Sequence, residues 1–223
     1  MEALLEDWFN RIKGAEYTSA RSLFDPLIAD SKKNLKTTNR SLPNETRKEA
    51  LVRGILCRGL QDVTDLVETT SSSDWLENPT LVEKAWNHLW DARDRLTYTL
   101  RHFNLDRVNW VLAQLEKVYK DFLASYGSGF YFSPEIVWKR ELCSICKSDF
   151  RSCSHLRGEI YDGVRCTGLP DGVGFRNTAI VTVPADPRCR IWPWQLKEED
   201  GQWRLENVCI LTSFRLEDFV DED

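Results

Sequence analysis

Cys143, Cys146, Cys153 and His155 place three thiols and an imidazole within thirteen consecutive positions, spaced C-x2-C-x6-C-x-H. No other feature constrains the fold as much, because soft sulfur and nitrogen donors so arranged close around one zinc ion in tetrahedral geometry. Cys143 and Cys146 form the short pair that wraps one side of the metal, and Cys153 and His155 supply the other. Residues two apart on a strand share a face, so an extended segment or a turn presents both. Cys166, eleven positions beyond His155, competes with it for the fourth place. A catalytic zinc keeps one position open for water and has a carboxylate close by. Asp149 and Glu159 are the nearby carboxylates, but four protein ligands would close the site, and neither H-E-x-x-H nor H-x-E occurs. The expected cofactor is therefore a structural Zn2+.

The rest of the composition supports a metal rather than disulfides. The N-terminus, Met1-Glu-Ala-Leu-Leu-Glu-Asp, is acidic, whereas a secretory signal needs a basic start and an apolar stretch. No apolar run approaches the roughly 20 residues that cross a bilayer. The expected address is cytoplasmic, with no membrane partner, and in that reducing compartment clustered thiols more often hold metal. The seven cysteines are also odd in number. Cys57 lies in an apolar helical pattern and is expected to be a small buried hydrophobe.

Apolar periodicity divides the chain in two. Leu4, Leu5, Trp8, Phe9 and Ile12 recur at helical spacing, as do Ala20, Leu23, Phe24, Leu27 and Ile28, with Pro26 as a kink or a first-turn residue. After a polar linker ending at Pro43, a long helix is expected from Asn44 through Leu51, Ile55, Leu56, Leu60, Val63 and Val67. Ser71-Ser-Ser-Asp74 breaks that pattern and offers an N-cap. From Pro79 an aromatic-rich helix runs through Trp86, Trp90, Leu96 and Phe103. Another follows Asn104 and stops at Gly127 and Gly129. Short connections between such helices predict an antiparallel bundle.

Beyond Gly129 the pattern becomes aromatic and β-branched. Phe130–Trp138, Ala179–Val183 and Trp203–Phe214 are strand candidates. The predicted fold class is α+β, with a helical bundle over 1–128 and a small zinc-stapled, β-rich domain over 129–223 ending in a solvated acidic tail. A region of this size, rich in loops, benefits from a metal staple.

A resemblance extends this picture. Ser133-Pro-Glu-Ile-Val, the run from Glu141 to Gly158 that carries the cysteines, Tyr161-Asp-Gly and Val183-Pro-Ala-Asp-Pro together resemble a module of uncharacterised bacterial and prophage-encoded proteins. The last piece is similar to a strand-and-turn of phage prohead proteases. The likeness spans residues 133–191 and implies a phage-linked or anti-phage defence context. Such a protease needs a serine nucleophile supported by histidine. His88 and His102 lie in the helical half, so protease activity is not carried over.

Several other groups bear on function. Arg95 and His102, seven apart on one helix, resemble the spacing in the helical ribonucleases that bind higher eukaryote and prokaryote nucleotides. Leu96, however, stands where that family has a polar residue. A nuclease or hydrolase working through His102 or Glu159 is one alternative. His88, between Trp86 and Trp90, is expected to pack. Arg188, Arg190, Trp192 and Trp194 form a candidate partner-binding surface, since arginine and tryptophan dominate binding hot spots. Their competing role is to seal the small domain. Residues 139–190 carry 9 basic and 6 acidic side chains, a mild excess short of a nucleic-acid footprint. A nucleic-acid module using Arg151, Arg157, Arg165, Arg188 and Arg190 is the remaining alternative. The leading expectation is a zinc-stabilised, non-enzymatic interaction or adaptor protein with a protein partner.

Overall fold

A computed structural model of the protein describes residues 2–36, 42–212 and 214–220, and its fold is α+β. Helices occupy the N-terminal part: α1 Glu2–Lys13, α2 Tyr17–Ser22, α3 Asp25–Leu35, α4 Asn44–Thr70, α5 Pro79–Thr99 and α6 Asp106–Tyr126. Small sheets follow. The chain forms two compact units, one of Met1–Lys33, Val52–Ser128 and Ser213–Asp223, the other of Asn34–Leu51 and Gly129–Thr212. None of the described helices is long and apolar enough to cross a membrane.

In the first unit, contacts between helices fix their directions. Arg21 pairs with Asp65 at 2.7 Å, Gln61 donates to Asp25 at 3.0 Å, and Arg53 pairs with Asp30. Sequence numbers rise on one side as they fall on the other, so α2 and α3 run opposite to α4. Trp86 meets Phe122 at 5.2 Å, Trp90 meets Tyr119 at 5.6 Å, and Arg93 pairs with Glu116 at 3.0 Å, which sets α5 against α6 in the same way. Trp86, fully buried, anchors this aromatic layer. Pro26 sits in the first turn of α3, where a missing N–H has no intrahelical partner to lose.

The cap of α5 lies later than Ser71–Asp74. Asn78, extended at φ −100°, accepts from the N–H groups of Thr80 and Leu81, with Pro79 at the first helical position. That combination supplies both the oxygen and the fixed φ that a helix start needs.

The acidic end is not simply solvated. Arg95 is buried, pairs with Asp62 and with Asp218 at 2.7 Å, and donates to the carbonyl of Arg215 at 3.0 Å. Phe219 is buried against Gly54, where a Cβ would stand only 2.2 Å from its ring. Apolar burial and a buried cation thus draw residues 214–220 into the first unit rather than the second. Residues 221–223 of the expected tail lie outside the described residues.

In the second unit, β1 (Phe130–Val137) is central to a three-stranded antiparallel sheet between β6 (Gly174–Val181) and β7 (Arg190–Ile191). Three hairpin-like pairs join it: β2 (Arg140–Cys143) with β5 (Gly168–Asp171), β3 (Ile160–Tyr161) with β4 (Val164–Arg165), and β8 (Leu196–Glu199) with β9 (Gln202–Leu205). Two of these turn on Asp-Gly. Asp162 and Gly163 have φ of 49° and 72°, and Asp200 and Gly201 have 53° and 73°. Positive φ at both central residues is the two-residue turn that matches strand twist. The strand expected over Trp203–Phe214 extends only to Leu205; the N–H of Glu206 is taken by the carbonyl of Gln195 at 2.8 Å.

Residues 34–51, expected in the bundle, belong to the second unit through Arg47. Its buried guanidinium donates to the carbonyls of Leu35 at 3.1 Å, Lys36 at 3.2 Å and Asp162 at 3.0 Å, and pairs with the Asp162 carboxylate at 2.9 Å. Asn44 accepts from the Asp162 N–H at 2.7 Å. Gly163 lets this happen, since a Cβ there would come within 2.9 Å of Leu35 and 3.0 Å of Arg47.

Candidate metal centre

Strand β2 delivers Cys143, fully buried, to the start of a tight turn. Its N–H donates to Ser148 at 2.9 Å, and its carbonyl accepts from Lys147 at 2.9 Å. Lys147 takes φ 60° to close that loop, which swings Cys146 to the same side as Cys143. The return segment is a single 3-10 turn, Phe150–Ser152, capped by Asp149 through the Arg151 N–H at 3.0 Å. It releases Cys153 in an extended conformation, and His155 follows.

One ligand atom from each of Cys143, Cys146, Cys153 and His155 lies within 4.8 Å of all the others. The Cys146 and Cys153 sulfurs are 3.4 Å apart, and the Cys153 sulfur lies 3.2 Å from His155 Nδ1. Tetrahedral bonds of about 2.3 Å to sulfur and 2.0–2.1 Å to nitrogen require donor separations of about 3.5–3.8 Å, so the cluster can hold a metal ion with small adjustment. Cys166 lies 3.7 Å from Cys143 but does not share the set of four.

The local field prepares part of this set. Burial disfavours the Cys143 thiolate, but the N–H groups of Cys146 and Ile145 and the neighbouring thiols outweigh it and bring its pKa down to about 7. The Ser148 N–H and the Cys153 thiol lower Cys146. Burial raises Cys153 and Cys166, each to about 11. Cys143 and Cys146 thus form the side most ready to bind.

Tyr161 completes the surroundings and had no signal in the spacing of the cysteines. Its ring packs edge-on against His155 at 4.6 Å, and its hydroxyl accepts from the Leu156 N–H at 3.0 Å. The Asp-Gly turn that follows Tyr161 is the sequence feature that could have placed it here. Asp149, a candidate general base, is held by hydrogen bonds from Arg151 that lower its pKa to about 2. So strong an acid is a poor proton acceptor at neutral pH.

The remaining candidates are scattered. Arg188, Arg190 and Trp192 are buried, so they form the interior of the second unit rather than a partner-binding surface. Arg190 stacks at 4.7 Å on Trp192 and donates to the Tyr131 hydroxyl at 3.3 Å, while Trp192 and Trp194 stack on each other at 5.1 Å. Arg188 is held by Asp186 at 3.0 Å. Of the basic residues near the cysteines, Arg151 pairs with Asp149, Arg157 with Glu141 and Arg140 with Asp171. In the first unit, Arg95 is committed to Asp62 and Asp218, and His102 lies against Tyr98 at 5.1 Å. His88 is half-buried on α5 and approaches Asp62 and Asp65 within 4.8 Å. Both carboxylates are taken by arginines, Asp62 by Arg95 and Asp65 by Arg21.

A surface feature of the second unit was also missed. The β1–β6 register shifts at Arg176, so Phe175 faces Ile136 while Thr178 and Ile180 face Pro134 and Phe132. The bulge puts Phe175 and Ile180 on one face of the sheet, although their odd separation would place them on opposite faces of a regular strand. They are 64% and 56% exposed, and β6 has no second strand beside it among the described residues.

In comparisons with protein-family models, curated proteins and solved structures, nothing matches this chain.

Proposed function

We propose that the cluster holds one structural Zn2+ through Cys143, Cys146, Cys153 and His155, and that the protein is a zinc-stabilised interaction protein rather than an enzyme. The observation that carries this is the convergence of four soft donors on one centre. Four protein ligands leave a zinc ion no position for water or substrate. Cys166 stays in reserve beside Cys143. Zinc is the favoured metal because three thiols and an imidazole suit it better than the oxygen-seeking cations. The interaction reading draws on the uncovered apolar face of β1 and β6 and on the open edge of β6, the kind of surface that a protein partner covers. Nucleic acid is less favoured, since the arginines around the cysteines are matched by carboxylates. The phage-linked or anti-phage context implied by the resemblance belongs to this proposal, and genes neighbouring this one should then include phage or defence functions.

Metal analysis of the purified full chain tests the reading. One equivalent of zinc is expected, and less than about half an equivalent overturns it.

A further inference from the structure

We propose that the first unit has a second binding site, a cavity between α1 and α6 that takes a small monocarboxylate with an apolar aromatic or alkyl body. The cavity measures about 360 Å³ and is walled by Leu5, Trp8, Phe9, Val108 and Trp110, with buried Leu60 also lining it. That volume falls in the range of small-molecule sites, which combine apolar walls with a few orienting polar groups. The walls offer little else to a ligand. The indole N–H of Trp8 is committed to the hydroxyl of Thr64 at 2.9 Å, so Trp8 presents only its ring. Phe9 and Trp110 meet edge to face at 5.2 Å, and Trp110 is 49% exposed, so both rings are within reach of a ligand body.

Charge determines the class of ligand. Four polar residues, Glu6, Asn10, Lys13 and Arg107, share the lining. Arg107 is matched by Glu2 at 3.1 Å and Glu6 at 3.3 Å. Lys13 differs: its ammonium rests 4.4 Å over the Phe9 ring, and no carboxylate pairs with it among the described residues. The cavity thus has apolar walls and, at one end, an exposed lysine and an asparagine that no carboxylate occupies among the described residues, a layout that an apolar acid complements. An amine would meet Lys13 as a like charge, and a neutral molecule would forgo the ion pair with it. The ligand's carboxylate would accept from the Lys13 ammonium and from the Asn10 amide while its body lies against Trp8, Phe9 and Trp110.

Calorimetric titration of the full chain with three matched probes, 4-phenylbutyrate, 4-phenylbutan-1-ol and 4-phenylbutylamine, tests this. The butyrate is expected to bind one to one and about tenfold tighter than the alcohol, as one added charge-assisted hydrogen bond gives. Lys13→Gln should remove that preference and leave the alcohol's affinity unchanged, while Lys13→Arg keeps the preference. Trp110→Ala should weaken all binding. Equal binding of butyrate and alcohol, tighter binding of the amine, unchanged butyrate binding in Lys13→Gln, or no binding of any probe overturns the proposal. The metal content of the chain plays no part in any of these outcomes.

Discussion

The two units are held together in different ways. Of the 32 buried apolar residues among those described, 23 belong to the helical unit and 9 to the other, and three of those 9 are cysteines. In the helical unit, Phe24, Trp86, Leu89, Leu96 and Phe122 are buried and pack helix faces against each other. The second unit makes nine short strands, turns twice on Asp-Gly and fills its interior with Arg47, Arg188 and Arg190, whose charges must be satisfied one by one. Apolar packing dominates the first, joined by the buried Arg95–Asp62 pair. The second relies on specific polar contacts, and under the proposed function on a metal held by the cysteine cluster, the usual solution for a core too small to stand alone.

The largest test of this contrast is Cys143→Ser. Structural zinc contributes on the order of 10 kcal/mol to folding in small domains. The variant, or the unaltered chain treated with a strong chelator, should lose the second unit's near-ultraviolet circular dichroism and backbone NMR dispersion while the helical signal persists. A second unit that stays ordered without metal would end the contrast. Trp86→Ala attacks the other side. Emptying a fully buried indole should cost about 3–5 kcal/mol in denaturant unfolding followed at the helical signal, and zinc content should not change.

Arg95→Ala asks whether a buried charge matters within the apolar unit. It leaves Asp62, which is 1% exposed, with only Arg58 at 4.0 Å, leaves Asp218 with Arg58 at 3.5 Å, and removes the donor to the carbonyls of Arg215 and Leu216. The expected cost is about 3–5 kcal/mol, with faster proteolysis within residues 214–220. A stability unchanged within error would show that packing alone carries this unit. The smallest effect is expected at Asp186 in the second unit. Burial opposes its charge, but the hydroxyl of Thr212 at 2.7 Å, the Arg188 N–H at 3.0 Å and the Arg188 guanidinium outweigh it, so its pKa lies below the ordinary carboxylate value. A lowered folded-state pKa contributes stability that is present above the ordinary carboxylate range and is lost as pH falls through the folded value. Asp186→Asn should therefore cost about 1 kcal/mol at neutral pH and flatten the acid limb of the stability profile. An unchanged acid limb would sever Asp186 from that role.

The same contrast explains what the sequence disclosed. Helices α1, α5 and α6 announce themselves through local periodicity, Pro79 and Gly127, because their burial repeats every turn. The cluster that could hold a metal is legible because its four donors are close in the chain and chemically distinctive. The rest depends on partners far away in sequence. Arg47 looks like an ordinary helix residue until Asp162, 115 positions later, supplies its partner. Phe219 reads as part of an acidic end until Gly54 opens a place for its ring. Arg190 and Trp192 resemble a binding surface because residue type does not reveal that Tyr131 and Gly129 close over Arg190 while Arg190 and Trp194 stack on Trp192. The Asp-Gly turns were readable, since two positive-φ residues between extended pairs are a local signal. The bulge at Arg176 was not, because it exists only relative to β1.

The docking of Asp218 and Phe219 also has a bearing on synthesis. These residues leave the ribosome after every residue of 129–212, yet they cover Gly54 and engage Arg95 in helices made long before. While the intervening segment is being translated, the newborn bundle carries an open apolar notch and an incompletely matched guanidinium. Domains made early generally fold as units during elongation; this one gains its last contacts only when residues 214–220 have been made.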